Sequence, residues 1–291
     1  MKKIITICFS LLIAACTKEH QNAQPKAIEK ISEGDSLLRK QLPDTLTPEN
    51  HSMIMDAILG KPKHAIGTIG ILVYDGVNDL DMMGPRYVFG QSGAKVQLIA
   101  IKPGHIKTVM GVQIVPDNVI DSVKQMDILV IPGGFKGTLE AAYDTKLHEW
   151  IRNMDKSTTY TASVCTGGWI LGATGLLKGK RASTNWYREE EFLRKYGAIP
   201  ADERYTQDGK YWTSAGVTAG MDMSLAIIRD NWGERFAQGV MLDMEYDPAP
   251  PMEGGSPEKT SWLVTWMMKS MYDAGVNPLL DSLETRKKSK L

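Results

Sequence analysis

Short apolar runs alternate with helix-compatible segments along most of this chain, and that alternation is the strongest constraint on its fold. The runs are short and rich in β-branched residues, so we interpret them as buried strands. Because parallel strands need long crossover connections, this alternation predicts a parallel sheet covered by helices on both faces. The predicted strands are Ile69–Tyr74, Lys95–Ile101, Ile128–Ile131, Thr158–Val164, Lys180–Thr184, a segment around Tyr205, and Tyr211–Ser214.

The segments between the strands have the periodicity or the composition of helices. The predicted helices are Leu80–Gly90, Leu139–Met154, a small-residue helix that ends at Thr174, Val217–Trp232 and Glu234–Tyr246. A last helix follows a proline-rich segment and carries an apolar stripe, which favours packing in a core or a dimer over ligand binding. The stripe consists of Trp262, Leu263, Trp266, Met267 and Met271.

The N-terminus has the features of a bacterial export signal. Lysines at positions 2 and 3 precede the apolar run Ile4–Ala15, which is shorter than the roughly 20 residues that a membrane-spanning helix needs. The run ends in Ile13-Ala14-Ala15-Cys16, which resembles a lipobox. We therefore expect lipid on Cys16 and anchoring in the cell envelope, at the periplasmic face or the cell surface. The expected segments are a lipoprotein signal peptide (1–15), a tether (16–65) and an α/β domain (66–291).

Charge and cysteine content exclude several classes of protein. Lys plus Arg and Asp plus Glu both number 34, so the chain lacks the basic surplus of a nucleic-acid-binding protein. Three cysteines are too few for a disulfide scaffold, and processing at Cys16 leaves Cys165 as a single free thiol. No glycine-rich phosphate loop follows the first strand, and no histidine spacing indicates a metal site. We expect a small-molecule substrate, no nucleic-acid partner, no cofactor and no metal.

A cysteine occupies the turn between a predicted strand and a helix. Cys165 follows Val164, and Gly167 allows the helix to begin close to the strand, as in a nucleophile elbow. In open parallel sheets, ligands bind beyond the carboxyl ends of the strands, where such a side chain points. Because the positive end of a helix stabilises a thiolate, we expect a lowered thiol pKa and a nucleophilic Cys165. The alternative is a small buried core cysteine.

Two further loops follow strands that are expected to end beside this cysteine. In Pro132-Gly133-Gly134-Phe135, the backbone N–H groups of Gly133 and Gly134 can face a developing anion, as in an oxyanion hole. The loop after the first strand carries Asp79 and Asp81, either of which can act as acid and base for the thiol. Aspartates at this position can also simply begin a helix. The residues alone do not choose between the two aspartates.

Five segments of the chain resemble the ThiJ/PfpI superfamily, within the class I glutamine amidotransferase-like fold, and more narrowly the isonitrile hydratases. They follow one another over about residues 67–257. The narrower similarity rests on the aspartate of LDMMGP, the Cys165-Thr166-Gly167 triplet, and the DPAPP-then-GSP segment. Sensor domains of AraC-type regulators share much of this pattern. The five segments are NDLDMMGP, IPGG, SVCTGGWILGATGLLKGKRASTNW, AGVTAGMDMSLAI and LDMEYDPAPPMEGGSP.

This resemblance implies a fold and a set of site residues. The implied fold is α/β, a flavodoxin-like three-layer sandwich with a mostly parallel central sheet, usually assembled as a homodimer. Cys165 is the implied nucleophile, Asp81 the general acid and base, and Thr166 an essential helper. The implied oxyanion and substrate-binding residues are Gly133, Gly134, Phe135 and Trp186.

The activity implied by the resemblance is a cofactor-independent hydro-lyase reaction, in which a thiol attacks an isocyanide and water releases an N-substituted formamide. Asn185 stands where relatives often have His, and Asn relays no protons, so the expected route uses Asp81 and leaves Asn185 without a role. Met83 replaces a smaller or more polar residue, which indicates an altered pocket. Two alternatives stay open: a ligand- or redox-sensing module, and a glyoxalase- or amidase-like enzyme.

Overall fold

The computed structural model describes residues 34–289, which form two compact units that divide between Ile58 and Leu59. The first unit contains α1 (34–39) and most of α2 (His51–Leu59). Residues 59–65, assigned to the tether from the sequence, belong to the second unit. There the Lys63 N–H donates to the Asn231 carbonyl (2.6 Å), and the His64 N–H donates to the Asn231 side chain (2.9 Å). The expected signal peptide and Cys16 lie outside the described residues.

The second unit is built on a seven-stranded sheet in the order β10-β11-β7-β6-β1-β2-β5. All neighbouring strands are parallel except the edge pair β10 and β11. The strands of this sheet are β1 (Thr68–Val73), β2 (Lys95–Ala100), β5 (Asn118–Val119), β6 (Ile128–Ile131), β7 (Tyr160–Val164), β10 (Tyr205–Asp208) and β11 (Tyr211–Ser214). Two short pairs lie outside it, β3 (Ile106–Lys107) with β4 (Gln113–Ile114), and β8 (Arg181–Ala182) with β9 (Ile199–Pro200).

Helices cover the sheet, and the alternation seen in the sequence therefore corresponds to the α/β architecture that it predicts. Every residue of β6 and β7 is buried, as expected of central parallel strands that are covered on both faces. The helices of this unit are α3 (Asp79–Gly90), α4 (Lys136–Ala141), α5 (Thr145–Asp155), α6 (Gly167–Ala173), α7 (Glu189–Lys195), α8 (Ala219–Trp232), α9 (Glu234–Asp243) and α10 (Trp262–Lys288), with a 3-10 turn at Pro257–Lys259.

The predicted helix Leu139–Met154 is two helices in the structure, so that prediction is wrong. The first of them, α4, ends at Ala141, and Asp144 takes an extended conformation before α5. Its side chain accepts a hydrogen bond from the Leu147 N–H (3.1 Å). This contact satisfies an N–H group that lacks a partner within the helix, and it favours a new helix start over continuation of α4.

The last helix buries a face other than the apolar stripe that the sequence indicates. Val276 and Leu283 of α10 are buried, and they belong to a small apolar cluster that includes Trp169 and Phe192. The rings of these two aromatic residues stack with centroids 3.9 Å apart. The stripe predicted to pack in a core or a dimer is exposed in the single chain, with Trp262 77% and Trp266 60% exposed, so it is not part of the core, and packing in a dimer stays a prediction. Among residues 34–289, no helix is long and apolar enough to span a membrane.

Candidate active site

Three neighbouring strands of the sheet bring the predicted site segments together. β7, β6 and β1 are adjacent, and they are followed by Cys165, by the Gly133-Gly134 loop and by the segment that leads to Asp81. The Asn78 N–H donates to the Gly133 carbonyl (2.8 Å), which joins two of these loops. The expectation that the three segments meet beyond the carboxyl ends of the strands is confirmed.

Cys165 lies in a strained turn between β7 and α6. Its φ angle is 57°, a left-handed conformation that costs free energy for a residue other than glycine. Three hydrogen bonds hold its backbone: its N–H donates to the Ser214 carbonyl (3.1 Å), and its carbonyl accepts from the Thr184 hydroxyl (2.6 Å) and the Gly168 N–H (3.2 Å). The cysteine is nearly buried, with 6% of its surface exposed. This geometry matches the nucleophile elbow that the sequence predicts.

Gly167 explains how α6 begins so close to the sheet. A Cβ atom at this position would lie far inside van der Waals contact with the Ile131 carbonyl oxygen of β6. Only a residue without a side chain fits there, as the sequence interpretation proposes. The start of α6 therefore packs directly against the end of β6, and Cys165 lies in the turn just before it.

Of the two candidate aspartates, Asp81 lies at the site and Asp79 does not. Asp79 accepts hydrogen bonds from the Thr108 hydroxyl (2.7 Å) and the Met110 N–H (3.1 Å), so it organises a neighbouring loop. Asp81 is fully buried, and its Oδ2 accepts from the Gly133 N–H (3.1 Å). Its Oδ1 has no hydrogen-bond partner within the described chain.

The side chains of Asp81 and Cys165 affect each other's ionisation. Burial raises the pKa of Asp81 to about 7, although the Gly133 N–H and the Cys165 thiol act in the opposite direction. Burial and the neighbouring Asp81 carboxylate raise the pKa of Cys165 well above that of an ordinary thiol. Near pH 7, the Cys165 thiol therefore keeps its proton, while the Asp81 carboxyl group gains and loses one.

The prediction of a lowered thiol pKa at Cys165 is therefore wrong for this state of the protein. The Thr166 backbone N–H and the Asn185 amide do stabilise the thiolate, as expected at the start of a helix. Desolvation and the charge of Asp81 outweigh them. The sequence indicates the elbow, but it does not reveal how completely the surrounding segments exclude water.

The predicted oxyanion hole at Gly133 and Gly134 is also corrected by the structure. The Gly133 N–H is bonded to Asp81, and the Gly134 N–H donates to the Thr166 hydroxyl (3.0 Å). These N–H groups are thus already engaged. The glycines instead permit close packing, since a Cβ at Gly133 would lie 2.5 Å from the Thr166 hydroxyl oxygen and 2.8 Å from the Asp81 carboxylate.

Thr166 joins the cysteine turn to the loop after β6. Its hydroxyl donates to the Gly134 carbonyl (2.9 Å) while accepting from the N–H of the same residue. The predicted helper residue thus holds two of the three site segments in register. Its backbone N–H faces the sulfur of Cys165 and favours the thiolate.

Two further residues belong to the site. Asn185 was expected from the sequence to have no role, which is wrong, and Tyr74 was predicted only as a strand residue. The Asn185 side-chain amide donates to the Cys165 sulfur (3.2 Å), so this position is in contact with the thiol. The Tyr74 hydroxyl donates to the Pro132 carbonyl (2.8 Å) and lies 2.9 Å from the Thr138 hydroxyl. A signal for Tyr74 was its place at the end of the apolar run of β1, where a ring can be buried while its hydroxyl reaches a loop.

The other two predicted binding residues, Phe135 and Trp186, lie in an aromatic cluster with Tyr272 of α10. Ring centroids are 5.7 Å apart for Phe135 and Tyr272, and 5.8 Å apart for Trp186 and Tyr272. Trp186 also lines two pockets that are open to solvent, of about 660 and 160 Å³. Neither has Cys165 or Asp81 in its lining as far as the described residues go. No group of His, Cys, Asp and Glu able to hold a metal ion is found in residues 34–289.

The fold and this site together define a class of protein. The model of the DJ-1/PfpI family matches residues 68–230, and the chain belongs to this family.

Among its relatives, the chain is 36% identical to isonitrile hydratase of Pseudomonas putida over 191 residues, which are 65% of this chain and 83% of that enzyme. It is 31% identical to a solved ThiJ/PfpI family protein from Pseudomonas syringae, with a TM-score of 0.72, over 84% of this chain and 98% of the other. It is also 30% identical over 131 residues to the HTH-type transcriptional regulator CdhR of Pseudomonas aeruginosa, covering 45% of this chain and 38% of the regulator.

Proposed function

We propose that the protein is a cysteine-dependent hydro-lyase that adds water to a small electrophile, with an isocyanide as substrate and an N-substituted formamide as product. The observation that carries this proposal is the buried pair of Cys165 and Asp81. A carboxyl group with a pKa of about 7 is suited to accept and return a proton near neutral pH. The similarity to an isonitrile hydratase supports the choice of substrate.

The chemistry proceeds in two stages on these residues. In the first, the Cys165 sulfur forms a bond to the terminal isocyanide carbon while its proton passes to the Asp81 carboxylate and then to that carbon, giving a thioimidate. In the second, Asp81 takes a proton from water as the oxygen attacks the carbon and passes this proton to the nitrogen, which gives a tetrahedral adduct. As the C=O bond forms and the carbon–sulfur bond breaks, the hydroxyl proton of the adduct passes through Asp81 to the sulfur, and the formamide leaves.

The raised pKa of Cys165 fits this route. A neutral thiol does not need to ionise before the substrate arrives, because the adjacent carboxylate removes the proton as the carbon–sulfur bond forms. The Asn185 amide and the Thr166 N–H then stabilise negative charge on sulfur at the two steps where it develops.

A sensing role is the second candidate. The thiol of Cys165 is nearly buried, which limits its access to molecules from solvent. The similarity to a transcriptional regulator favours a module that binds a small ligand. In that case the same cleft would hold an isocyanide or another small electrophile without turnover.

We further propose that the chain is exported and anchored by lipid on Cys16 in the bacterial cell envelope. The lipobox-like residues Ile13-Ala14-Ala15-Cys16 support this. Because an acyl chain contributes about 0.8 kcal/mol per buried CH₂, several chains on one cysteine are sufficient to hold the protein at a bilayer. The substrate would then be met outside the cytoplasm.

Trapping of the intermediate tests the proposal. Wild type and Asp81→Asn are incubated with benzyl isocyanide, and intact mass and peptide mapping locate any adduct. The expected result is formamide release by wild type and slow or absent reaction by Asp81→Asn, with any trapped mass located on Cys165. A modified residue other than Cys165 on the productive route would contradict the proposal, and tight binding without adduct or product would favour the sensing role.

A further inference from the structure

A chain of hydrogen bonds connects the thiol of Cys165 to the last helix of the fold. The Asn185 Nδ2 atom donates to the Cys165 sulfur (3.2 Å), and the Asn185 Oδ1 atom accepts from the Tyr187 backbone N–H (3.0 Å). The Tyr187 hydroxyl donates to Oδ1 of Asp273 in α10 (2.7 Å). Asp273 is thereby linked to the thiol, although it lies about a hundred residues beyond the cysteine in sequence.

The Tyr187 N–H determines which end of the Asn185 amide faces the sulfur. An amide side chain has an oxygen that only accepts hydrogen bonds and an NH₂ group that only donates them. With its oxygen on the Tyr187 N–H, the amide directs its NH₂ group at Cys165. In the reversed orientation, two donors would face each other at Tyr187, and the amide oxygen would disfavour a thiolate. The backbone position of Tyr187 therefore affects the ionisation of the thiol.

Tyr187 lies in the loop between β8 and α7, and its side chain holds it there. Only 2% of its surface is exposed. Its ring contacts the rings of Trp169, Trp186 and Tyr272, with centroids 6.4, 6.2 and 5.1 Å apart respectively. Because a buried hydroxyl without an acceptor is costly, the bond to Asp273 fixes how far the ring extends into this cluster. The position of the ring in turn limits where the backbone of Tyr187 lies.

Asp273 is itself held in place on α10. Its Oδ2 accepts from Lys269, one turn earlier in the helix (2.6 Å), and Arg188 lies 3.7 Å from its Oδ1. Hydrogen bonds from Lys269 and Tyr187 keep the pKa of Asp273 below its ordinary value, so the acceptor is a carboxylate at neutral and alkaline pH. The buried Val276 packs this part of α10 against the domain. The helix thus offers Tyr187 a fixed, charged acceptor.

We propose that Asp273 is a positioning residue for the thiol: through the Tyr187 hydroxyl, it holds the backbone N–H that directs the Asn185 amide at the Cys165 sulfur. The reactivity of the thiol then depends on α10 as well as on the segments that surround Cys165. The inference rests on these contacts and applies whether the site turns over an isocyanide or only binds an electrophile.

The pH profile of iodoacetamide alkylation of Cys165 tests this inference in the full chain, with peptide mapping to locate the label. Tyr187→Phe keeps the ring and removes the hydroxyl. It is expected to slow alkylation by about 3–10-fold below the thiol pKa, as for one lost hydrogen bond, and to move the profile to higher pH. Asp273→Ala is expected to do the same. Asp273→Asn, whose amide oxygen still accepts from Tyr187, stays within about twofold of wild type. Asp281→Ala, at another exposed aspartate of α10, is the matched control and leaves the rate unchanged.

A double-mutant cycle separates positioning of the amide from a general effect on packing. If Asp273 and Tyr187 act through Asn185, Tyr187→Phe has no further effect in an Asn185→Ala background, because no amide is left to orient. A packing effect would instead slow alkylation by the same factor in both backgrounds, and that result would overturn the inference. Equal pH profiles for wild type, Tyr187→Phe and Asp273→Ala would overturn it as well.

Discussion

At the scale of single residues, Asp81 is held in a position that favours chemistry over stability. Its pKa is about 7 in the folded chain against an ordinary value of 3.8. Between these values the folded state binds more protons than the unfolded state, so the contribution of Asp81 to stability is complete below pH 4 and is lost as pH rises through 7. When ionised, Asp81 is a buried charge beside the Gly133 N–H and the Cys165 thiol, and its Oδ1 accepts no hydrogen bond within the described residues.

Replacing Asp81 by Asn is therefore expected to raise stability and lower activity. The melting temperature of Asp81→Asn equals that of wild type near pH 4 and exceeds it near pH 8, by about 2–4 °C for each kcal/mol recovered in a domain of this size. Turnover falls by about 10²–10⁴-fold. Calorimetry at the two pH values checks the first effect. A melting temperature for the variant below that of wild type at pH 8 would show that ionised Asp81 stabilises the fold.

Asn185 gives a second prediction at this scale. Its amide donates to the Cys165 sulfur at 3.2 Å, and a hydrogen bond to a charged group is worth about 1.5–3 kcal/mol. Asn185→Ala is thus expected to slow iodoacetamide alkylation of Cys165 by about 10–100-fold.

Asn185→Asp provides the matched comparison, since it keeps the size of the side chain and places a negative charge beside the sulfur. It is expected to be slower still, because a like charge disfavours the thiolate. Equal alkylation rates for wild type, Asn185→Ala and Asn185→Asp would mean that this contact does not act on the thiol.

The sequence predicts the placement of individual site residues better than their electrostatics. Cys165 is recognisable from a strand end followed by small residues. The family resemblance selects Asp81 over Asp79, and the structure explains that choice, because Asp79 has a separate role in a neighbouring loop. The contact of Asn185 depends on a loop nineteen or twenty residues beyond the cysteine folding back over it. The raised pKa of the thiol depends on packing from several segments. Neither effect has a local signature.

At the scale of elements, the contact between α6 and β6 makes a quantitative prediction. Gly167→Ala forces a methyl group into the Ile131 carbonyl, so it is expected to destabilise the domain by about 3 kcal/mol or more, in the upper range for overpacking. Gly239→Ala in α9 is the control, because a Cβ there meets nothing within 4 Å, and it is expected to stabilise by about 0.5–1 kcal/mol. Urea unfolding measures both. A Gly167→Ala midpoint equal to that of wild type would refute the close-contact interpretation.

The central strands and helices could be predicted because their apolar residues recur with the periodicity of the element that they form. Ile128–Ile131 and Tyr211–Ser214 are strands with the predicted limits, and β1, β2 and β7 differ from the prediction by one or two residues at their ends. The edge strand β5 and the pair β8 with β9 have two residues each. Tertiary contacts determine such short pairings. Helix α7 likewise follows Arg188, whose left-handed conformation no local sequence pattern predicts.

At the scale of the whole molecule, one expectation concerns the assembly of the chain as a homodimer and another its location in the cell. The homodimer implied by the resemblance stays a proposal, and the exposed residues Trp262, Trp266 and Met271 are apolar surface that a partner would cover. Sedimentation equilibrium of the mature chain is expected to give twice the mass of one chain. A concentration-independent monomer would contradict this.

Anchoring is tested by Cys16→Ser, which removes the expected lipid acceptor and leaves residues 34–289 unaltered. Wild type is expected in the membrane fraction, with lipid on Cys16 by mass spectrometry. The variant is expected in the soluble fraction or as unprocessed precursor. Wild type found in the soluble periplasm with an unmodified Cys16 would contradict the proposal.

One assay of product formation tests most directly whether Cys165 is the nucleophile of a hydratase. Purified wild type and Cys165→Ala are supplied with benzyl isocyanide in buffer without cofactor or metal, and N-benzylformamide is quantified. Wild type is expected to produce formamide at a rate that a chelator leaves unchanged, and Cys165→Ala is expected to produce none above the uncatalysed rate. Formamide production that persists in Cys165→Ala would contradict the assignment of Cys165 as the nucleophile.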